Sequence, residues 1–582
     1  NPTRISPLNS LEENKKARNQ VLRRMMAEGF LSASEGEKLQ LEAVVVDPKP
    51  IQRGTSHLYE RIASAVRERL GEDELTEGGF QIYTSIDLDV QQALEGNLLK
   101  QLASIEARAG FDHTRYEDYR KADGKPGYLQ GAGLMIDNSN GAIVAYVGGR
   151  NFGHSQYDFV QSGRKPIGTA FFPFIYTTAL EKKMTAVSRV IDRPMDNRSV
   201  MVDGREGILG EWGMETLNPD YEGEISMRRA LEVSKIAASV RLGKALGLGT
   251  VMETARRFGL NSPETKLLAR MLVGTADVSL PELVRAYSSF PRGGVLPPTA
   301  YFIERIVDSA GDLRYEVERV AGTQRVTSES TAYLMHTMLQ SSLKNGTRDG
   351  DGSEGLSALT NDVSMAGKTG TTYDFADNWF IGYDSDVTCG VWTGFLDGSR
   401  KAIYPGAFSR KTVFPAWVNT MNAANKEFAG EEIRVPDGIV KFEICRNSGL
   451  RKTRYCQDHT RNAVSGIKSF SPTIRNEYFI KGTEPTGYCD VHGVIDPALA
   501  DNHNFGADGN KVASSHAVPV QPKQPLLLGQ DPYGAEQPDF APRDAKATRG
   551  DGSGMNFDQL DEEDRNAAIT LDRPGRIEIR EK

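Results

Sequence analysis

Lys368-Thr369-Gly370-Thr371-Thr372 is the stretch whose residue types and spacing first suggest chemistry. The motif carries mechanistic content because it opens a predicted strand and precedes a predicted hairpin. Taken alone, however, a plain strand with a glycine kink explains it better. Its interpretation therefore depends on the rest of the chain.

A phosphate-binding loop is the first alternative, because Gly367-Lys368-Thr369 matches the end of that pattern. The spacing contradicts this alternative, since Asp362 stands where the first glycine is required. The negative charge of Asp362 would also face a phosphate unfavourably. We therefore reject nucleotide binding.

A second stretch with chemical content lies upstream, at residues 164–176. Pro173 fits a helix only in its first turn, where its missing N–H costs little, so the helix should begin near Ala170. Thr169 then lies close to the helix N-terminus, and Phe172 follows one turn further on the same face. A hydroxyl group and an aromatic ring therefore occupy neighbouring positions at the start of this helix.

Residues 168–174 resemble the Ser-x-x-Lys element of the class A penicillin-binding proteins, which usually reads Gly-Ser-Ala-Phe-Lys-Pro-Phe. Five positions match this element: Gly168, Ala170, Phe171, Pro173 and Phe174. Thr169 occupies the position of the nucleophilic serine, and Phe172 occupies the position of the lysine. The resemblance therefore implies a transpeptidase-like site in which an apolar ring replaces the base.

Two further elements of that family follow along the chain. Residues 225–242 resemble its Ser-x-Asn helix, with Ser234 retained and Ile236 where asparagine is expected. The lysine motif supplies the third element. Its catalytic positions are Lys368, Thr369 and Gly370, and the residues expected to bind substrate are Thr371 and Thr372.

The fold class follows from two predicted hairpins that are far apart in sequence. The runs 132–136 and 142–147 predict one hairpin, and the runs 378–383 and 387–394 predict the other. Strands at both ends of a mainly helical insert imply an α+β fold, with one sheet completed by distant segments. The resemblance specifies the penicillin-binding transpeptidase fold, an antiparallel sheet packed between helices, with small flanking domains.

The resemblance also implies an order of domains along the chain. Residues 1–46 resemble the C-terminal end of the family's glycosyltransferase domain, residues 47–130 form an interdomain region, and residues 131–430 form the transpeptidase-like domain. A cysteine-containing extension occupies residues 431–500. Residues 501–582 lack apolar periodicity and are rich in Pro, Gly, Asp and Ser, so we expect a disordered tail.

The departures from the family's motifs at positions 169, 172 and 236 affect the expected transpeptidase activity. In the family, a serine hydroxyl attacks a D-alanyl carbonyl of a stem peptide, and the lysine accepts its proton. Thr169 keeps a hydroxyl, but Phe172 cannot accept a proton. Because Phe172 and Ile236 replace both polar partners by apolar groups, we expect the pocket to have become core. We therefore predict a catalytically inactive cell-wall protein that serves as scaffold or regulator of peptidoglycan synthesis.

Two other functions remain open. Thr169 could act as an acyl-transfer nucleophile with Lys368 as a substitute base. The chain could instead bind stem peptides without covalent reaction, through Lys368 and Thr371. Ser341-Ser342-Leu343-Lys344 also fits Ser-x-x-Lys, but it lacks the Pro-Phe continuation, and a surface helix end explains it better.

The sequence contains four cysteines, which could pack in the core, form a disulfide or bind a metal. Cys389 lies in an apolar run, where core packing is expected. A Cys445–Cys456 disulfide is the preferred interpretation of the next two, because they fall in a turn-rich stretch where a crosslink would help most. A Cys3His zinc site with Cys489 and His492 is the alternative, but the ten residues between Cys445 and Cys456 exceed the usual ligand spacing. We expect no metal and no cofactor.

Bulk properties restrict location and partners. A net charge of −8 and a pI near 5.7 argue against nucleic-acid binding. No stretch approaches the roughly 20 apolar residues of a bilayer span. Because the first residue is asparagine rather than methionine, we expect a targeting or anchoring segment upstream. The resemblance to class A penicillin-binding proteins implies a membrane anchor there and a location at the extracytoplasmic face of the bacterial cytoplasmic membrane. It also implies, as partners, peptidoglycan or its stem peptides and other cell-wall synthesis proteins.

Overall fold

The structure is a computed structural model of the 582-residue chain. It describes the following residues: 7, 10–44, 56–72, 74, 79–120, 124–196, 208–209, 221–261, 267–318, 324–347, 359–360, 363–372, 374–396, 401–461, 468–492, 570–571 and 577–578.

A five-stranded sheet forms the centre of the molecule, and every neighbouring pair of its strands is antiparallel. The strands, from one edge to the other, are Ala366–Thr371, Asp377–Tyr383, Val387–Gly394, Gln130–Asp137 and Ile143–Val147. The strand Val387–Gly394 pairs along its whole length with Gln130–Asp137, so segments more than 200 residues apart complete one sheet. This confirms the predicted α+β fold.

Both predicted hairpins form within this sheet, each held by a polar turn. In the first turn, Gly141 has φ +79° and its N–H donates to the carbonyl of Asp137. In the second, the Asp384 carboxylate accepts hydrogen bonds of 2.8 Å from the amides of Asp386 and Val387. Carboxylates that accept from the backbone two or three residues ahead stabilise tight turns, which explains why these sequences end one strand and begin the next.

Helices cover both faces of the sheet. A Cβ added at Gly133 would lie 2.8 Å from a methyl group of Leu94, in the helix Leu88–Glu106. A Cβ added at Gly390 would lie 2.6 Å from Val284, in the helix Leu280–Ser288. Gly390 pairs with Leu134, which neighbours Gly133, so the two glycines face opposite sides. Small residues on each face therefore let helices approach closely, and this explains why the central strands are buried at almost every position.

The helix Leu88–Glu106, which packs on one face of the sheet, shows how the sequence sets local structure. Asp87 caps the helix Leu88–Glu106, because its carboxylate accepts a 2.9 Å hydrogen bond from the amide of Val90. Leu94, Leu98 and Leu102 recur at four-residue spacing and are buried against the sheet. The cap and the spacing of the three leucines thus explain where this helix begins and which face it buries.

The structure describes further helices and smaller sheets. The other α-helices are Leu11–Ala27, Ala33–Leu41, His57–Leu70, Phe159–Ser162, Phe172–Glu181, Met227–Glu232, Ile236–Leu246, Leu248–Arg257, Glu329–Gly346, Ser409–Thr412 and Phe414–Ala424. Short 3-10 helices span Tyr116–Asp118, Gly168–Phe171 and Ala269–Val273. In a three-stranded sheet, Ile303–Val307 lies between Gln81–Thr84 and Leu313–Glu316. Three two-stranded sheets pair Lys165–Pro166 with Asp277–Val278, Arg189–Asp192 with Gly223–Ser226, and Met195–Asp196 with Ile208–Leu209.

The N-terminal segment contains two helices. The second, Ala33–Leu41, begins with a capping box in which Ser32 and Glu35 exchange side-chain-to-backbone hydrogen bonds. The first, Leu11–Ala27, has no buried residue. The assignment of residues 1–46 to the end of a glycosyltransferase domain stays a prediction.

The extension after residue 430 contains two small antiparallel pairs. Ile439–Cys445 pairs with Ile474–Ile480, and Gln457–Arg461 pairs with Lys468–Pro472. Their apolar core is slight, since the buried side chains of the first pair are few. Other interactions must therefore hold this part of the chain in place.

Residues 530–582 form a separate unit. In it the structure describes one short antiparallel pair, Thr570–Leu571 with Ile577–Glu578. The expected disorder after residue 500 otherwise falls outside the described residues. Of the helices that the structure describes, none combines the length and apolarity needed to cross a bilayer.

Candidate active site

Thr169 lies in the 3-10 helix Gly168–Phe171, which runs directly into the helix Phe172–Glu181. Pro173 falls in the first turn of that helix, as predicted. Gly168 has φ +54°, and a Cβ at this position would lie 2.1 Å from the carbonyl oxygen of Thr371. The turn that carries Thr169 therefore packs directly against the strand Ala366–Thr371, which we call the lysine strand.

The hydroxyl of Thr169 is directed at this strand. Its Oγ1 donates a 2.9 Å hydrogen bond to the carbonyl oxygen of Thr369, and only 3% of the residue is exposed. The structure thus brings the predicted nucleophile and the predicted lysine motif together. The hydroxyl proton is held by a backbone carbonyl, which is not a base.

Phe172 and Ile236 occupy the positions where the resemblance places lysine and asparagine. Phe172 is fully buried, Ile236 is 3% exposed, and both belong to the main hydrophobic core. One turn further along the same helix as Phe172, the hydroxyl of Tyr176 meets that of Ser239 at 3.0 Å. The apolar replacements therefore pack as core residues, as expected from the sequence.

Lys368 is the ionisable group of this site. Its Nζ donates hydrogen bonds to Ser234 Oγ at 2.6 Å and to the Thr369 carbonyl at 3.1 Å. The ring centroid of Phe172 lies 5.8 Å from Nζ, within the range of a cation–π contact. Burial lowers the pKa of the Lys368 ammonium from its ordinary value of 10.5 to about 7. Burial therefore shifts the protonation equilibrium of Lys368 towards the neutral amine.

Ser234 is placed by an unusual backbone conformation. Its φ is +58°, in the left-handed region that residues with a side chain seldom adopt. This conformation lies between the helices Met227–Glu232 and Ile236–Leu246. It brings the Ser234 hydroxyl to the Lys368 ammonium, 134 residues away in sequence. Backbone strain maintained at a site is often associated with function.

The hydroxyl groups of the predicted substrate-binding residues form hydrogen bonds within the protein. Thr371 Oγ1 lies 2.8 Å from Ser409 Oγ and accepts a 3.0 Å hydrogen bond from the Ser409 amide. Thr372 Oγ1 donates to Asp374 at 2.7 Å and accepts from the Asp377 amide at 3.0 Å. Both threonines are almost fully buried. In this conformation neither hydroxyl is available to a peptide.

Gly370 allows close contact between the lysine strand and the Thr169 turn. A Cβ at position 370 would lie 2.6 Å from the carbonyl oxygen of Ile167 and 2.8 Å from the Cβ of Ala170. The strand and the turn are thus in van der Waals contact where Gly370 faces the turn. Chemically, the site is a buried hydroxyl and a buried amine, each hydrogen-bonded to its surroundings.

A cavity of about 250 Å³ lies elsewhere, where the helix Glu329–Gly346 meets the extension. Its lining residues are Arg228, Thr337, Gln340, Ser341, Lys344, Met365, Arg475, Asn476 and Tyr478. None of them was singled out as functional, except that Ser341 and Lys344 belong to the rejected Ser-x-x-Lys match. No sequence signal marks this cavity, because its residues come from four distant segments. Ser341 sits near the end of its helix, as expected, and accepts a 2.9 Å hydrogen bond from Arg228.

The predicted Cys445–Cys456 disulfide is wrong for this structure. Both residues are free thiols, and they lie with Cys489 and His492 in one cluster. Three sulfur atoms and one ring nitrogen approach one another within 4.8 Å, so the structure groups four side chains where the disulfide would need only two. Cys389 is fully buried in its strand, as predicted. We call the group of Cys445, Cys456, Cys489 and His492 the cysteine cluster.

Comparison with protein families gives two matches. The family model described as the penicillin binding protein transpeptidase domain matches residues 131–396. The model described as the C-terminal domain of penicillin-binding protein 1A matches residues 435–494. The first match contains the central sheet and the Thr169 site, and the second contains the cysteine cluster.

Curated relatives agree with these matches. Penicillin-binding protein 1A of Neisseria lactamica is 32% identical over 315 residues, which is 54% of this chain and 38% of the relative. Penicillin-binding protein 1B of Vibrio cholerae is 26% identical over 459 residues, 77% of this chain and 53% of the relative. In the first comparison, this chain therefore spans 38% of the length of its relative.

Solved structures show the same fold. Penicillin-binding protein 1A from Haemophilus influenzae superposes with a TM-score of 0.62 at 21% identity, covering 83% of this chain and 84% of that chain. The penicillin-binding protein PonA1 from Mycobacterium tuberculosis superposes with a TM-score of 0.51 at 23% identity, covering 65% of this chain and 95% of that chain.

Proposed function

Because the chain belongs to the class A penicillin-binding proteins, we propose that its transpeptidase domain no longer performs acyl transfer and instead serves as scaffold or regulator of peptidoglycan synthesis. The observation that carries this proposal is the Thr169 hydroxyl. It is 3% exposed, it donates to the Thr369 carbonyl, and Phe172 stands where a base is needed.

The first reason to expect no acyl transfer is that the Thr169 hydroxyl has no base to accept its proton. A hydroxyl is a weak nucleophile at neutral pH and needs a positioned base to accept its proton. Loss of such a base costs about 10²- to 10⁴-fold in rate. The carbonyl oxygen of Thr369 orients the hydroxyl proton but cannot remove it, and Phe172 has no basic atom.

The second reason to expect no acyl transfer is that a peptide has little access to the Thr169 hydroxyl. Attack on a carbonyl carbon requires the reacting atoms to approach within about 3–3.5 Å. The lysine strand packs against the Thr169 turn at Gly370, which leaves no room even for an added Cβ. Because only 3% of Thr169 is exposed, a peptide carbonyl could reach its hydroxyl only after neighbouring groups moved aside.

A second candidate function is acyl transfer by Thr169 with Lys368 as the base. The lowered pKa of Lys368 favours it, because an amine with a pKa of about 7 can accept a proton at neutral pH. The hydrogen bonds favour the inactive form, because Lys368 Nζ bonds to Ser234 and Thr369 while the Thr169 proton is directed at a carbonyl. Of the two, we therefore prefer the inactive domain.

The location and partners follow from this proposal. We place the protein on the extracytoplasmic face of the bacterial cytoplasmic membrane, where peptidoglycan is assembled. There the domain would contact peptidoglycan or other proteins of cell-wall synthesis without forming a covalent intermediate. The tight packing at the Thr169 site fits a rigid module better than a catalytic cleft.

Covalent labelling by a fluorescent penicillin tests the proposal. The purified chain is incubated with the reagent at neutral pH, and the intact mass is measured alongside gel fluorescence. We expect no adduct on the native chain, because acylation by a β-lactam needs the same activated hydroxyl. A catalytically active penicillin-binding protein, treated in parallel, shows that the reagent is competent.

Two variants identify the source of any signal. Thr169→Ala should leave the background unchanged if the domain is inactive, and Lys368→Met should do the same. A stoichiometric adduct that Thr169→Ala abolishes would disprove the proposal. If Lys368→Met abolished it as well, the lysine-assisted reaction would be the correct function.

A further inference from the structure

The cysteine cluster has a geometry that the inactive transpeptidase site does not explain. The Nδ1 atom of His492 lies 3.3 Å from Cys445 Sγ and 3.4 Å from Cys489 Sγ. Cys456 completes the group, and all four donor atoms lie within 4.8 Å of one another. The three cysteines are buried, and His492 is partly buried.

We propose that Cys445, Cys456, Cys489 and His492 bind one structural zinc ion, through three sulfur atoms and His492 Nδ1. Zinc prefers a tetrahedral set of thiolate and imidazole ligands, with Zn–S bonds near 2.3 Å and Zn–N bonds of 2.0–2.1 Å. Such a tetrahedron separates a sulfur from the nitrogen by about 3.5 Å. The two measured separations, 3.3 and 3.4 Å, are close to this value.

The path of the backbone explains how widely spaced residues converge. Cys445 ends the strand Ile439–Cys445, and its carbonyl accepts from the Gly449 amide at 2.8 Å. This turn returns the chain, so that Ile444 forms an antiparallel bridge with Arg451. The ten residues between Cys445 and Cys456 therefore enclose a folded turn. The long spacing, which argued against a metal site, is absorbed by this turn.

Cys489 and His492 reach the site from the opposite direction. The Cys489 amide donates a 2.8 Å hydrogen bond to the carbonyl of Arg451, which docks the segment around Cys489 beside the turn. Only two residues separate Cys489 from His492, and the His492 amide donates to Cys489 Sγ. A pair of ligands at this short spacing is typical of zinc sites.

The surroundings of the donor atoms support metal binding more specifically. His492 directs Nδ1 at the sulfurs, and its other ring nitrogen, Nε2, lies 3.6 Å from the Asp458 carboxylate and 3.4 Å from Asn447 Nδ2. A zinc-bound histidine generally places its second ring nitrogen against a carboxylate or carbonyl, which fixes the tautomer and the ring orientation. Asn447 donates to the same carboxylate at 2.7 Å and so holds it in place. The Thr453 amide, in turn, donates to Cys456 Sγ at 3.2 Å.

A disulfide is the competing explanation, and it accounts for fewer of these contacts. It would join two of the three sulfurs and leave the third thiol and the histidine ring without a role. A zinc ion uses all four groups and fills the coordination sphere with protein ligands, as in sites that stabilise structure rather than catalyse. The extension has little apolar core of its own, so metal binding would contribute to its folding.

Metal content and thiol counting test this proposal on the full chain. We expect one zinc ion per chain by inductively coupled plasma mass spectrometry, retained in Cys389→Ala, which removes the cysteine outside the cluster. Cys445→Ser and Cys489→Ser should lose the metal. With EDTA and denaturant but no reductant, all four cysteines should be alkylated. A chain that lacks zinc and has only two cysteines open to alkylation would overturn the proposal.

A milder variant covers the possibility that the serine variants fail to fold. Asp458→Asn removes the carboxylate beside His492 but no ligand, so zinc affinity should fall by about 10- to 100-fold in competition with a chromophoric chelator. Asp437→Asn, an exposed acid in the same extension, should leave the affinity unchanged. Equal affinities for the two variants would contradict the assigned role of Asp458. Neither readout depends on acyl transfer, so failure here is distinct from failure of the proposed function.

Discussion

At the scale of single residues, Thr169, Phe172 and Ile236 differ together from the expected serine, lysine and asparagine. Removal of one member of a buried polar pair leaves the other unsatisfied, at a cost of about 1–3 kcal/mol, whereas apolar replacement of both can be nearly neutral. Phe172 and Ile236 are both core residues, so both members of the polar pair have been replaced by apolar groups. Lys368 remains as a buried amine that has Ser234 and Thr369 as partners.

Lys368 makes stability depend on pH. Its pKa is 10.5 when solvated and about 7 in the fold, because burial disfavours the charged form. Between these values the unfolded chain binds more protons, so rising pH stabilises the fold, by at most about 1.4 kcal/mol per pH unit. As the pH falls from 10.5 towards 7, the free energy of unfolding should decrease in the native protein. Lys368→Met should lack this contribution to the decrease. Thermal unfolding of both proteins, compared from pH 7 to 9, checks this.

The difference between the two pH profiles is the informative quantity, since other titrating groups are common to both proteins. Parallel profiles would mean that Lys368 stays charged in the fold, held by Ser234 and Thr369. In that case the amine could not act as a base at neutral pH, and the second candidate function would lose its support.

At the scale of secondary-structure elements, the closed state of the site depends on how the Thr169 turn meets the lysine strand. Gly168 adopts φ +54° under the Thr371 carbonyl, and its N–H donates to the carbonyl of Gly274 at 3.0 Å. The Tyr287 hydroxyl holds the same turn through a 2.7 Å hydrogen bond to the carbonyl of Ala170. Contacts from three separate segments thus fix the turn against the strand.

Gly168→Ala tests how tightly these two elements pack. The variant combines an unfavourable positive φ with a methyl group directed at the Thr371 carbonyl. The matched control is Gly311→Ala, because Gly311 has φ +89° in a hairpin turn with open space around it. We expect a loss of about 1 kcal/mol for Gly311→Ala and about 1–3 kcal/mol more for Gly168→Ala, measured by thermal unfolding. Equal losses would show that the turn can move away from the strand.

At the scale of the whole chain, the extension is joined to the transpeptidase domain by a buried ion pair. Arg228 Nε donates a 2.7 Å hydrogen bond to Glu477, and a second guanidinium nitrogen contacts the other carboxylate oxygen. Arg228 also donates to the Thr337 carbonyl at 2.6 Å. Both charged side chains are almost fully buried, so each is the charged partner that offsets the burial of the other.

Breaking this pair should uncouple the extension. Arg228→Met or Glu477→Leu alone should cost about 3–5 kcal/mol, because each leaves a buried charge without its partner, and the double variant should recover much of that loss. The exposed pair Lys452 and Glu443, in the same extension, is the control and should contribute less than about 1 kcal/mol. A double-mutant cycle by thermal unfolding measures both couplings. Additive effects of Arg228→Met and Glu477→Leu would contradict the predicted coupling.

Local patterns in the sequence were sufficient for many of the elements. The two hairpins, with turns at Asp137 to Gly141 and at Asp384 to Asp386, and the position of Pro173 all depend on interactions within a few residues, and all were predicted. The disulfide was not, because the choice between a disulfide and a shared site depends on where His492 lies. The cavity lined by Arg228 and Arg475 was missed for the same reason: it exists only where distant segments meet.

The sequence by itself was sufficient to predict the fold class, which follows from short-range periodicity, and the resemblance to class A penicillin-binding proteins, which follows from motifs that match residue by residue. The roles of the individual site residues stay predictions. Only the tertiary structure showed that the Thr169 proton is directed at a carbonyl, that the Thr371 and Thr372 hydroxyls are engaged internally, and that three sulfurs and a histidine converge. Hydrogen-bond direction, burial and convergence depend on the packing of segments hundreds of residues apart, and no local pattern encodes them.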